Sequence, residues 1–292
     1  MDFISDRTSE VLLKTHKELA LRGYSENTIT AYLGQIQRFQ IFSNKDLVDS
    51  TNEDVRDFLY YLLKEKGKSH GYVNQTLSAL KFLLTKILHV KEGVNQLPRP
   101  KKEHKLPDVL SQNEVLQILN PVRNLKHRTL LVLTYSAGLR VSEVVNLKIS
   151  DIDYTRMLIH VRQGKGKKDR YTVLSTGAIG VLRDYMTSYH VIDWMFPGEN
   201  PNNHITERTV QRVFENARDK AGIRKNVSVH SLRHSFATHL LESGTDLRYI
   251  QELLGHLNSK TTEIYTHVTE KDIQRIRSPF DWISLNGNNQ GK

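Results

Sequence analysis

The sequence predicts a mainly α protein in two parts: a small N-terminal helical bundle, then a mostly helical domain with one small antiparallel β-sheet. Three observations predict it. Apolar residues recur at three- and four-residue steps through most of the chain, the repeat of amphipathic helices. The period falls to two in one region, Met157 to Arg162 and Arg170 to Leu174, which reads as a hairpin. Between residues 95 and 110 both patterns stop. Pro98, Pro100 and Pro107, with Arg99, Lys101, Lys102 and Lys105, cannot continue a helix there.

In the first part, Gly23 ends a helix and Ser25 caps the next, whose apolar stripe is Ile29, Tyr32, Leu33, Ile36, Phe39 and Phe42. Thr51 and Asp54 form a capping arrangement before Val55, Phe58, Leu59, Leu62 and Leu63, and Gly67 closes that unit. Ser69 to Leu88 aligns Val73, Leu77, Leu80, Leu84 and Ile87 on one face, completing a four-helix bundle. Its cations Arg22, Arg38, Lys81 and Lys86 are candidates for backbone contact with DNA, or simply a solvated helix face.

In the second part, Ser111 with Glu114 is a capping box, and Leu130 to Tyr135 is an apolar run broken by Ala137 and Gly138. Arg140 opens a helix that buries Val141, Val144, Val145 and Leu147. The hairpin follows, with Gln163 to Asp169 as a basic, glycine-hinged tip. Helical patterns then run over Gly177 to Tyr189, Thr206 to Ala221, His230 to Ser243 and Asp246 to Leu254, the last three stopped by Gly222, Gly244 and Gly255. The expected division is residues 1–95 for the bundle, 96–109 for a basic Pro-rich linker, 110–285 for the second domain and 286–292 for a disordered polar tail.

Composition narrows the chemistry. The chain has 292 residues and a formal net charge of +10, from 42 Lys plus Arg against 32 Asp plus Glu, so a polyanion is the expected partner. With no Cys, disulfides, thiolate metal sites and a cysteine nucleophile are excluded, and a reducing compartment is expected. No stretch approaches the roughly 18 apolar residues of a membrane span, and residues 1–9 lack a signal-peptide core, so a soluble cytoplasmic protein without membrane association is expected.

Six polar residues of the second half carry the site: Arg140, Lys165, His230, Arg233, His256 and Tyr265. Two arginines, a lysine, two histidines and a phenol suit a phosphodiester. Gly164 and Gly166 let the hairpin tip carry Lys165 into a groove, although Gly-Lys-Gly-Lys-Lys also fits a solvated turn. It is not a P-loop, whose Gly, Lys and Ser/Thr spacing differs. Three-residue spacing places His230 and Arg233 on one helical face at a helix start, favourable for an anion, with Leu232, Phe236 and Leu240 facing the core. His230 and His234 also have a zinc-like spacing, but Arg233 between them would repel a divalent ion, so no metal and no cofactor are expected. His239 reads as a packing or capping residue. Taken alone, Tyr265 reads as a half-buried packing residue.

Ala137-Gly138-Leu139-Arg140-Val141-Ser142-Glu143, Gly164-Lys165-Gly166, His230 to Arg233, Leu254-Gly255-His256 and Tyr265 together resemble the motif set of the tyrosine recombinases, the phage integrase family, and the size is similar to its compact Xer-like members. The resemblance is firm over residues 108–280. It covers the N-terminal bundle more weakly, through Gly23-Tyr24-Ser25, where it implies a SAM-like core-binding domain with no further arm-binding domain before it. It implies that Tyr265 attacks a DNA phosphorus to give a 3′-phosphotyrosyl link without metal or ATP. Arg140 and Arg233 would hold the phosphate oxygens, Lys165 would act as general acid, His230 as base or further donor, and His256 would bond the phosphate. Glu143 would orient an arginine. It further implies double-stranded DNA sites as partners and a homotetramer on DNA, with the C-terminal segment of Ile273, Ile276, Phe280, Trp282 and Ile283 docked on a neighbouring subunit or packed on its own domain. Target sequence, biological role and any accessory protein are left open. A topoisomerase-like enzyme and a non-enzymatic DNA-binding regulator are the competing functions.

Overall fold

The structure, a computed structural model, describes residues 6–90, 93–101, 108–162 and 169–255. The chain divides into two compact units, Met1–Lys105 and Leu106–Lys292. Residues 102–107 of the expected linker, the hairpin tip at 163–168, and everything from His256 to the polar tail lie outside the described residues.

The first unit packs four helices: α1 (Asp6–Leu21), α2 (Glu26–Ser43), α3 (Asn52–Lys64) and α4 (His70–Phe82). The starts of α2, α3 and α4 follow local chemistry. Ser25 Oγ accepts from the Thr28 amide, Ser69 Oγ from that of Tyr72, and Thr51 and Asp54 make a reciprocal capping box. These bonds satisfy amides that a helix leaves unpaired at its N-terminus. The predicted stripes meet in one core of Ile36, Phe39, Val55, Phe58, Leu77 and Leu80, all buried. After α4 the chain continues in a π-helical turn, Leu83–Ile87, which still carries Leu84 and Ile87 into that core.

The segment following it is not wholly extended. Val94–Gln96 forms a 3-10 turn, and Val94 and Leu97 pack into the bundle core. The carbonyl of Pro100 accepts from Asn74 Nδ2, and that of Lys101 lies 2.8 Å from His70 Nδ1. The predicted break in helical pattern is present, but two apolar residues inside it tie this stretch to the first unit.

The second unit begins with α5 (Gln112–Leu119), opened by the predicted Ser111–Glu114 capping box, then α6 (Leu125–Ser136) and the single-turn α7 (Val141–Val145). A three-stranded antiparallel sheet follows, β1 (Ile152–Asp153), β2 (Leu158–Val161) and β3 (Arg170–Val173), in that order. Leu158 pairs with Val173 and Val161 with Arg170, the register that the alternating residues require. The unit closes with α8 (Thr176–Ser188), α9 (Glu207–Lys220), α10 (Val229–Glu242) and α11 (Leu247–Leu254). Leu130, Val144, Ile159, Leu182, Phe214 and Leu232 share its main core. Phe236, Ala237, Ile250 and Leu254 form a satellite cluster that seats α11 against α10.

Candidate active site

Arg140 and Arg233 come from two distant places in the chain, and the second unit gathers them around one carboxylate, with His230 one turn before Arg233 on α10. Arg140 is the N-cap of α7. Its amide bonds Glu143 Oε2 at 2.8 Å and its Nη1 bonds Glu143 Oε1 at 2.6 Å, so one turn of helix aims the side chain. Glu143 thus orients an arginine, as the sequence predicts. It orients more than one.

Arg170, at the start of β3, bonds both oxygens of Glu143, through Nη1 at 2.7 Å and Nη2 at 2.8 Å. Its Nε reaches the Leu253 carbonyl at 2.8 Å, joining the sheet to the end of α11. By sequence, Arg170 is only the first residue of an alternating strand. A cation opening a strand beside a basic turn reads as surface, and nothing local announces a carboxylate 27 residues earlier. The signal within reach was Glu143, an acid among apolar residues whose two oxygens offer more acceptor sites than Arg140 alone fills.

Arg233 departs from the expected arrangement. It shares a helical face with His230 by spacing, yet His230 is exposed and Arg233 is only 5% exposed. Its guanidinium turns inward: Nη1 donates to the Gly138 carbonyl at 2.6 Å and Nη2 to that of Leu254 at 2.5 Å, with Nη1 also 3.6 Å from Glu143 Oε2. The long side chain overrides the face assigned by spacing. Gly138 makes the approach possible. Its φ of +60° turns the α6–α7 connection, and a Cβ there would lie 2.4 Å from Phe236 Cδ1.

The electrostatics follow. Burial works to raise the Glu143 pKa, but hydrogen bonds and charge from Arg170 and Arg140 overcome it and hold the carboxyl at about 2. Three guanidiniums around one ionised carboxylate leave net positive charge. Arg140 Nη2 and Nε donate to no protein group among the described residues, so this guanidinium retains donors for an anion. Desolvation and then the charge of Arg233 push the His230 pKa down, against an opposing effect of Glu207, so its imidazole is neutral near pH 7. His234, one turn on, is lowered for the same first two reasons. His239 Nδ1 sits 2.9 Å from the Tyr135 hydroxyl, a packing role.

Lys165, His256 and Tyr265 lie outside the described residues. Gly255, immediately before His256, caps α11 with φ +62°, and a Cβ there would meet Arg170 Cδ at 2.7 Å. Among the described residues no group of three or more His, Asp or Glu could hold a metal ion, and no helix is long and apolar enough to cross a membrane.

Comparison with known proteins bears on this geometry. Residues 108–272 match the phage integrase family, and residues 11–92 match the phage integrase N-terminal SAM-like domain. Tyrosine recombinase XerA of Pyrococcus horikoshii is 36% identical over 271 residues, covering 91% of this chain and 92% of that protein. A crystal structure of XerA recombinase aligns over 93% of this chain and 100% of its own, at 30% identity and a TM-score of 0.54. The fold is also that of a lambda integrase (75-356) dimer bound to a COC′ core site, with a TM-score of 0.72 at 21% identity, over 87% of this chain and 96% of that one. The motif set, the arginine cluster and these likenesses agree: the chain belongs to the phage integrase family, as a compact Xer-like tyrosine recombinase.

Proposed function

We propose that this recombinase exchanges strands between two double-stranded DNA sites, with residues 1–95 as the core-binding domain, 96–109 as linker, 110–285 as the catalytic domain and 286–292 as a disordered tail. Tyr265 is the nucleophile. Its phenolic oxygen bonds the scissile phosphorus as the bond to the 5′-oxygen breaks, and Lys165 gives that oxygen its proton. His230, neutral at pH 7, accepts the phenol proton or donates to the phosphate, and His256 donates a hydrogen bond to it. Arg140 and Arg233 stabilise the extra negative charge of the pentavalent transition state. The 3′-phosphotyrosyl link conserves the bond energy, so attack by the 5′-hydroxyl of a second duplex rejoins the strand without ATP. Cationic side chains meet the developing charge, so the scheme uses no metal.

The observation that carries this reading is Arg140, held by Glu143 with unspent donors, beside two more guanidiniums and a neutral imidazole. Exchange between two duplexes needs four nucleophiles, and the proposed active species is a homotetramer on DNA in the cytoplasm. The test is covalent trapping on nicked duplexes that carry candidate sites. Wild-type protein yields a detergent-resistant DNA adduct, with and without EDTA, and Tyr265→Phe binds the duplex but yields none. An adduct that survives Tyr265→Phe would reject this nucleophile.

A further inference from the structure

We propose that the stretch at residues 109–110 sets the position of the helix turn that carries His230 and Arg233, and that Ser235 is the positioning residue through which it acts. The inference rests on the recombinase reading and adds to it a residue that acts on the phosphate only through Arg233 and His230. Residues 108–110 are the first described residues of the second unit. The Leu110 amide donates to Ser235 Oγ at 2.9 Å, across 125 positions of sequence, and Ser235 Oγ donates to the Ser231 carbonyl at 2.8 Å. One hydroxyl therefore joins residue 110 to the first turn of α10.

The bonds continue to the start of the helix. Ser231 Oγ accepts from the Ser228 amide at 3.2 Å, which is half of the capping box of α10. Leu110, Ser231 and Ser235 are all buried, so a broken link leaves a polar group in the interior without its partner. Lys225 secures the same stretch from the α9–α10 connection, its Nζ donating to the Val109 carbonyl at 3.1 Å and to Glu114 Oε2 at 2.7 Å. Two adjacent residues are thus bonded both to α10 and to the segment that leads into it.

The starts of α5, α6, α8 and α9 are held by side chains three residues away. Such caps complete a helix end without fixing where the helix sits. The bond from Leu110 fixes it, because Leu110 is buried in the main core with Val115 and Ile118 of α5. Placement matters here. Arg233, two residues before Ser235, reaches the Gly138 and Leu254 carbonyls at 2.6 and 2.5 Å. Bonds that short do not survive a shift of the helix by about 1 Å, a misplacement that can cost on the order of 10²-fold in rate.

The test is single-turnover cleavage of nicked duplexes by the full chain at saturating concentration, beside duplex affinity and melting temperature. S235A cleaves at least about tenfold more slowly than wild type with unchanged affinity, and S235T, whose hydroxyl can bond the carbonyl four residues back, recovers to within about threefold. K225M, altered at a half-exposed side chain, slows in the same direction and K225R does not; this pair decides the matter if changes at buried Ser235 prevent folding. T129V is the control for a purely structural role. It removes a buried hydroxyl bonded to the Leu125 and Val181 carbonyls, lowers the melting temperature and keeps the wild-type rate. A folded S235A at the wild-type rate, K225M at the wild-type rate, or T129V slowed as much as S235A overturns the proposal. Failure of the recombinase reading is separate. Wild-type protein that forms no adduct removes that reading, and the anchor is then judged by amide exchange, which speeds over 229–235 in S235A and not in T129V; unchanged exchange in S235A overturns it.

Discussion

Glu143 is the residue on which the site turns, because every described cation of the cluster is oriented by it or lies beside it. Its pKa falls from an ordinary 4.5 to about 2, so the folded state holds the ionised form more tightly than the unfolded state does. The stabilisation is present above pH 4.5 and lost as pH falls from there to about 2, on the order of 3 kcal/mol in all. Glu143→Gln strands buried guanidiniums, so the expected loss at pH 7 is about 3–5 kcal/mol, with a flatter acid limb than wild type. Denaturant unfolding at neutral and acid pH checks both, and equal stability at pH 7 would show that the carboxylate does not hold the cluster. Arg140→Ala removes the guanidinium that retains donors, and single-turnover cleavage should slow by about 10²-fold or more. Gly138→Ala strains a φ of +60° and drives a methyl into Phe236, so a loss of about 2 kcal/mol or more is expected. His230 sets a different signature. Its pKa is lowered from the ordinary 6.5 by burial and by the charge of Arg233, so the fall in cleavage on acidification should be centred below that pH. A fall centred above pH 6.5 would contradict the assignment.

At the scale of elements, helices with side-chain caps were the most legible. Ser25, Thr51, Ser69 and Ser111 each mark a helix start because capping is local chemistry between residues three apart. Two-residue β1 gave no such mark, since so short a strand has no alternation to read and exists only through its pairing with β2. The candidate site divides the same way. His230 and Arg233 could be found as a motif, but the inward turn of Arg233 depends on carbonyls 95 and 21 residues away. Arg170 was missed because its three bonds span β3, α7 and the end of α11. Those bonds make it a clamp between elements. Arg170→Gln should release the α11 terminus, seen as faster amide exchange over 247–254 with α8 unaffected. Arg170→Lys should fail to restore protection, since an ammonium cannot form the two-pronged bond to Glu143. Rescue by lysine would reduce Arg170 to a point charge.

At the scale of the whole molecule, the break in pattern near residue 95 was readable from prolines and charge, but the attachment of that stretch was not. Val94 and Leu97 are two apolar residues in a polar segment, too few to form a pattern, and they are nevertheless buried in the same core as Leu84 and Ile87. Among the described residues, the buried cluster of the first unit draws its members from residues 11–97 alone, and those of the second from residues 110–254. A core assembled wholly within one stretch of chain does not need the other for its burial. Met1–Lys105 expressed alone should therefore be helical and melt in one cooperative transition. Cutting the fragment at residue 92 removes Val94 and Leu97, each worth about 1.5–3 kcal/mol of burial, and the midpoint should fall by several degrees. Circular dichroism on the two fragments decides it. A gradual melt of the longer one would mean that its core is incomplete without the catalytic half, and equal midpoints would mean that the stretch after residue 92 only lies on the bundle without holding it.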